Sequence, residues 1–145
     1  MTNFRASDTL IQAVKQFEGL RLKAYRCPAG IWTIGYGHTR GVKAGQEITR
    51  AQAYTLLVGD MLPFVQYVNR LGVCKTQGQF DALVDFAYNL GTAALGSSTL
   101  LQLIRTKADD AVICKEFRKW VFSNGKVLNG LKKRREWECK QWVNS

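Results

Sequence analysis

The chain has 145 residues, 46% apolar and 22% charged, which suits one ordered globular domain and argues against a disordered chain. No apolar run approaches the roughly 18–20 residues needed to cross a bilayer, and Arg5, Asp8, Gln12, Lys15 and Gln16 interrupt any signal-peptide core. Twenty-one Lys and Arg against 11 Asp and Glu leave a net charge of +10, a field that attracts nucleic acid, anionic lipid or an acidic cell-wall polymer.

Ser7 or Asp8 can cap a first helix whose apolar positions Leu10, Ile11, Val14 and Phe17 follow helical spacing, and Gly19 lies where it should end. Leu20, Leu22 and Ala24 then alternate with Arg21, Lys23 and Tyr25, as in a half-buried strand. Cys27-Pro28-Ala29-Gly30 supplies turn chemistry, and the β-favouring Ile31 to Tyr36 completes a hairpin. Gly35 and Gly37 mark bends or a close backbone approach.

The remainder reads as helical. Thr49 with Gln52 forms a capping box before Ala53, Leu56 and Leu57, and Pro63 is expected to interrupt that helix or start a new segment. Thr76 with Gln79 repeats the capping signature before Phe80, Leu83, Val84 and Ala87, with Gly91 as terminator. Shorter helices are predicted over Ser97–Arg105 and Asp109–Val121, and a last one over Leu131–Val143. The sum is α+β: a small hairpin region near the N-terminus and a mostly helical remainder. Lys126, Lys132, Lys133, Arg134, Arg135 and Lys140 concentrate positive charge near the end, most simply as a solvated helix face. No second feature of a sequence-specific DNA reader accompanies that charge.

Cys27, Cys74, Cys114 and Cys139 are scattered without a close pair, and His38 is the single histidine, so a structural zinc site is not expected. Reduced thiols are expected, three of them acting as small buried hydrophobes. Trp32, Trp120, Trp137 and Trp142 read as packing residues.

Glu18 is the only acidic residue between Asp8 and Glu47, among Arg21, Lys23, Arg26, Arg40 and Lys43. Shielding by Phe17 and Tyr25 would raise its pKa and keep it protonated as a general acid, whereas the cations would lower it. A surface ion pair to Lys15 or Arg21 is the plainer alternative from position alone. The flanking string decides between them. Phe17-Glu18-Gly19-Leu20-Arg21-Leu22-Lys23-Ala24-Tyr25 and Trp32-Thr33-Ile34-Gly35-Tyr36-Gly37-His38-Thr39 strongly resemble the phage-type lysozymes, the endolysin family. Gln79 to Gly91, Ser98 to Leu101, Phe117 to Trp120 and Gly130 to Glu136 continue the resemblance, which covers about Leu10 to Trp142.

The resemblance implies a single lysozyme-like catalytic domain over 1–145. A hairpin lobe of about 19–48 would face a helical lobe of about 60–145 plus the first helix, with a cleft between. The implied activity is muramidase: hydrolysis of the β-1,4 bond between N-acetylmuramic acid and N-acetylglucosamine in peptidoglycan, with inversion and without a cofactor or metal. The family pattern places a Glu, then an Asp or sometimes a Cys nine positions on, then a Thr fifteen positions on; here these are Glu18, Cys27 and Thr33. Glu18 would protonate the leaving oxygen, Thr33 would hold the attacking water, and Cys27 stands where Asp is commoner. An unperturbed thiol, with pKa about 8.5, is only a few per cent ionised at neutral pH. Tyr88, Asn89 and, more weakly, Thr99 match substrate-cleft positions.

The same resemblance implies a monomer with peptidoglycan as partner and neither nucleic-acid binding nor stable membrane insertion. With no export signal before Asp8, it is expected in the host cytoplasm. It would reach the periplasm and wall through holin-dependent permeabilisation, causing host-cell lysis. Two other functions compete. Cys27 and His38 flank one hairpin and can pair as a cysteine-dependent peptidoglycan amidase or peptidase, and the charge alone would serve a non-catalytic wall-binding module.

Overall fold

The computed structural model describes residues 3–144 and is α+β, mostly helical with two small antiparallel hairpins. In chain order the elements are α1 (Asp8–Glu18), β1 (Arg21–Arg26), β2 (Trp32–Gly35), α2 (Arg50–Leu71), α3 (Gln77–Leu90), α4 (Thr92–Gly96), α5 (Thr99–Arg105), α6 (Asp110–Phe117), β3 (Phe122–Ser123), β4 (Lys126–Val127) and α7 (Asn129–Val143). The chain divides into two compact units, one comprising Ile11–Pro63 and the other the residues up to Leu10 together with those from Phe64 onward. Most of α1 therefore groups with the first hairpin, and α2 runs through the boundary.

Local chemistry sets the helix ends. Ser7, not Asp8, caps α1: its hydroxyl accepts the Leu10 amide at 3.0 Å and donates to Asp81. At α2 the capping box is complete, with the Gln52 amide on Thr49 Oγ1 at 3.1 Å and the Thr49 amide on Gln52 Oε1 at 2.9 Å. Thr76 caps α3 through the Gln79 amide, while Gln79 Oε1 reaches back to the Lys75 amide instead of closing a box. Gly91 ends α3 at φ 100, and its amide returns to the Ala87 carbonyl.

Three expectations are corrected. Pro63 lies inside the continuous helix α2. Pro63 and Gly59, four residues earlier, are both exposed, so the carbonyl that loses its partner faces water. Helix α6 stops at Phe117, because the chain turns at Trp120 and forms the β3–β4 ribbon that Asn124-Gly125 allows, both residues having positive φ (51° and 77°). The basic cluster of α7 is only partly solvated: Lys132, Lys133 and Lys140 are exposed, but Arg134 and Arg135 are buried.

Those two arginines organise the larger unit. From Phe80 to Ala87 every residue of α3 is buried, including Asp81 and Asp85. Arg134 Nε lies 3.0 and 3.1 Å from the two Asp85 carboxylate oxygens, and its Nη2 lies 2.9 Å from Oδ1. Arg135 forks onto Glu138 at 2.7 and 2.8 Å, donates to the Trp120 carbonyl at 3.2 Å and to Asn89 Oδ1 at 2.8 Å, and lies over the Phe86 ring. Around this network Phe86 meets Phe117 and Trp120 edge-on at 5.9 and 5.3 Å. Burial pushes the Glu138 carboxyl well above the usual carboxylate range, neighbouring Asp85 adds to that, and Arg135 opposes it. Replacing Arg135 with Met strands this carboxylate without a cation. The expected loss in chemical denaturation is about 3–5 kcal/mol, much of it recovered when Glu138 is also made Leu.

Candidate active site

Three features of the Ile11–Pro63 unit assemble the candidate site. Helix α1 ends at Glu18 because Gly19 takes a left-handed φ of 75 and returns its amide to the Lys15 carbonyl at 2.9 Å. Glu18 is thus exposed at a helix end, so the apolar shielding considered from sequence is not its setting. Its carboxylate lies against Gly37: a Cβ added there would come within 3.4 Å of Glu18 Oε1, and Gly37 has φ +89. The close approach expected of Gly37 is therefore an approach to Glu18.

The hairpin places the other two residues. Strands β1 and β2 pair with Tyr25 opposite Thr33 and Arg26 opposite Trp32. The Cys27 amide bonds the Ile31 carbonyl at 3.0 Å and the Gly30 amide bonds the Cys27 carbonyl at 2.8 Å, closing a turn in which Gly30 has φ +80. Register brings Cys27 and Thr33 to the same end of the hairpin. Thr33 is buried, with 3% exposure, and its hydroxyl donates to the Ile31 carbonyl at 2.9 Å.

Cys27 is partly exposed and its thiol is held below the ordinary thiol range. Backbone hydrogen bonding at Ile31 is the largest cause; desolvation opposes it, and the backbone at Ala29, the Thr33 hydroxyl and the backbone of Cys27 itself add to it. The backbone of the turn and the Thr33 hydroxyl thus favour the thiol's anion. Thr33 has one hydroxyl proton, which serves either the Ile31 carbonyl or an ionised Cys27.

His38 is committed elsewhere. Its Nδ1 lies 2.8 Å from Asp60 Oδ2 and its Nε2 donates to the Arg40 carbonyl at 2.9 Å. Neither nitrogen offers a lone pair to Cys27, which removes the base that a cysteine amidase needs. Ile34 and His38 also exchange backbone hydrogen bonds of 2.9 Å in each direction, so the Asp60 contact pins the turn that contains Gly37 to α2.

The three candidate substrate residues lie in the other unit. Tyr88 is half-buried and meets Phe64 edge-on at 5.3 Å. Asn89 has its amide oriented by Arg135. Thr99 is exposed at the start of α5, lining a cavity of about 330 Å³ with Glu116, Lys119 and Trp120. The last three were not singled out from sequence as site residues, although the Glu116–Lys119 pair has the i,i+3 spacing of a helical ion pair. Arg135 and Glu138 have the same i,i+3 spacing, but Asp60 and the contacts of Arg135 with Asn89 and Trp120 carried no sequence signal. Of the other thiols, Cys114 and Cys139 are buried and Cys74 is half-buried, with burial and then nearby Asp81 raising the Cys74 thiol to about 12.

A hairpin-bearing α+β fold with a carboxylate at the end of its first helix defines a lysozyme-like class. The family model for phage lysozyme matches residues 15–138, and the chain belongs to that family. It is 49% identical over 132 residues to the endolysin of Bacillus phage B103, a match covering 88% of this chain and 50% of that protein, so the chain spans half that relative's length. The muramidase domain of SpmX from Asticaccaulis excentricus superimposes with a TM-score of 0.87 at 37% identity, covering 96% of this chain and 97% of that one. The endolysin from Escherichia coli O157:H7 phage FAHEc1 gives 0.89 at 37% identity, with 99% and 96% covered.

The His38–Asp60 clamp is testable on its own. Asp60→Asn keeps the shape but removes the carboxylate, and thermal unfolding is expected to show a loss of about 1.5–3 kcal/mol. An unchanged Tm would mean that the clamp does not hold the turn.

Proposed function

We propose that the protein is a muramidase, cleaving the β-1,4 bond between N-acetylmuramic acid and N-acetylglucosamine in bacterial peptidoglycan during host-cell lysis. The observation that carries the reading is the grouping of Glu18, Cys27 and Thr33 in one unit, with the Glu18 carboxylate against Gly37 and Cys27 in the turn that the Ile31 carbonyl closes. Membership of the phage lysozyme family and likeness to a solved muramidase domain support the substrate class.

In this mechanism Glu18, protonated, donates to the glycosidic oxygen as the bond to the anomeric carbon breaks. A water on the opposite face of the ring, oriented by the Thr33 hydroxyl and ionised Cys27, adds to that carbon and gives up a proton to the thiolate. The anomeric configuration inverts and no covalent intermediate forms. The anion at Cys27 also stabilises the oxocarbenium-like charge, the part an Asp would take. Tyr88, Asn89 and Thr99 bind the glycan, with Arg135 fixing which side of the Asn89 amide is presented. No metal or organic cofactor enters the chemistry.

The proposal extends to the route. The enzyme acts as a monomer, collects in the host cytoplasm and meets the wall after holin-type permeabilisation of the membrane. No helix among the described residues is long and apolar enough to cross a membrane.

Mass spectrometry of fragments released from purified peptidoglycan tests the reading. New reducing ends on muramic acid are expected, falling about 10²–10⁴-fold in Glu18→Gln. Cys27→Ser is expected to lose most activity and Cys27→Asp to keep a substantial part. The rising limb of the wild-type pH profile of kcat/KM should report ionisation of the Cys27 thiol, held below its ordinary range, and should move to lower pH in Cys27→Asp. Free stem peptides with intact glycan, or full activity in Glu18→Gln, would contradict the assignment.

A further inference from the structure

The β3–β4 ribbon has no part in the chemistry above, yet it carries the most exposed apolar surface of the larger unit. Phe122 is 62% exposed, Val127 49% and Leu128 44%. Phe122 and Val127 are cross-strand partners, so they share one face of the ribbon, and both strands are exposed along their length. The tight Asn124-Gly125 turn lets this pair project from the body. Leu128 follows directly, its amide bonded to the Val121 carbonyl at 3.0 Å.

The charge around this apolar pair has one sign. No carboxylate occurs in the sequence between Glu116 and Glu136. Those two bounding acids are already matched, Glu116 with Lys119 and Glu136 with Arg118. Arg134 and Arg135 are turned inward. Lys126 on β4 and Lys132 and Lys133 early in α7 remain exposed, with Lys132 within Coulombic reach of Glu136. An acidic wall polymer would satisfy the lysines but offers no apolar phase for Phe122 and Val127. A surface of anionic phospholipid satisfies both: side chains of this kind enter the boundary between headgroups and acyl chains while lysines stay at the level of the phosphates.

We infer that the β3–β4 ribbon, with Phe122 and Val127 at its face and Lys126, Lys132 and Lys133 at its rim, is a peripheral docking surface for an anionic phospholipid bilayer. The contact spans nothing; it lays the Phe122 and Val127 side chains into one leaflet. It would hold the enzyme at a membrane face bordering the wall, and it is separate in residues from the groups assigned to glycan cleavage.

Co-sedimentation with sucrose-loaded vesicles, one set of phosphatidylcholine and one with a quarter of phosphatidylglycerol, tests the inference. About tenfold tighter partition onto the anionic vesicles is expected at moderate ionic strength. Phe122→Ser with Val127→Thr should weaken that partition about tenfold, and so should Lys126→Gln with Lys132→Gln and Lys133→Gln. Both variants should keep the wild-type Tm and their activity on purified peptidoglycan within about twofold, which separates lipid docking from catalysis. Equal binding to both vesicle types, or unchanged partition in Phe122→Ser/Val127→Thr, would overturn it. Binding to an acidic wall polymer without binding to vesicles would overturn it as well.

Discussion

The short turn from Ile34 to His38 is the constraint on which the candidate site depends. Its backbone closes on itself through two reciprocal hydrogen bonds, and His38 is fixed from outside by Asp60. Between those anchors, Gly35 and Gly37 take positive φ, a conformation that costs an L-residue roughly 1–2 kcal/mol. The side of Gly37 that lacks a Cβ is where the Glu18 carboxylate lies. Loosening the turn would therefore act on the acid without touching it. The same hairpin holds Cys27 and Thr33 at its far end, so two closures, one at each end of β2, locate all three groups.

In the larger unit the corresponding constraint is ionic. Two guanidiniums and two carboxylates are removed from water together, and each is used more than once. Arg135 ties α7 to itself through Glu138, to the turn after α6 through the Trp120 carbonyl, and to α3 through Asn89. A hydrophobic replacement of the pair could pack as tightly, but it would leave the Asn89 amide unoriented. Structural polarity in this unit is thus shared with a residue proposed to touch substrate.

The sequence revealed those parts whose cause is local. Thr49 with Gln52 and Gly91 act within a turn of helix, so their signatures predict the ends they make. Cys27-Pro28-Ala29-Gly30 and Gly35-x-Gly37 marked the hairpin and its exit. Glu18, Cys27 and Thr33 became candidates through spacing matched to a family, since position alone left Glu18 open between acid and surface ion pair. What stayed hidden depends on partners far along the chain. Nothing near Asp60 signals His38, and nothing near Arg134 and Arg135 distinguishes them from Lys132 and Lys133 until α3 is packed against α7. Pro63 misled because a proline's effect depends on whether the orphaned carbonyl is buried, which the sequence does not show. The β3 and β4 strands, two residues each, are too short to leave a period.

In the proposed mechanism Cys27 takes the part that the resemblance to phage-type lysozymes gives more often to an aspartate. A thiolate is a stronger nucleophile than a carboxylate, so the proposal requires Cys27 to act on water and on developing charge rather than on carbon. The most direct measurement is proton NMR of the first product formed from a defined peptidoglycan oligosaccharide, read before mutarotation. Hydrolysis by a water held at Cys27 and Thr33 predicts the α-anomer at the new reducing end. A β-anomer as first product would mean a double displacement and contradict the mechanism at its central step.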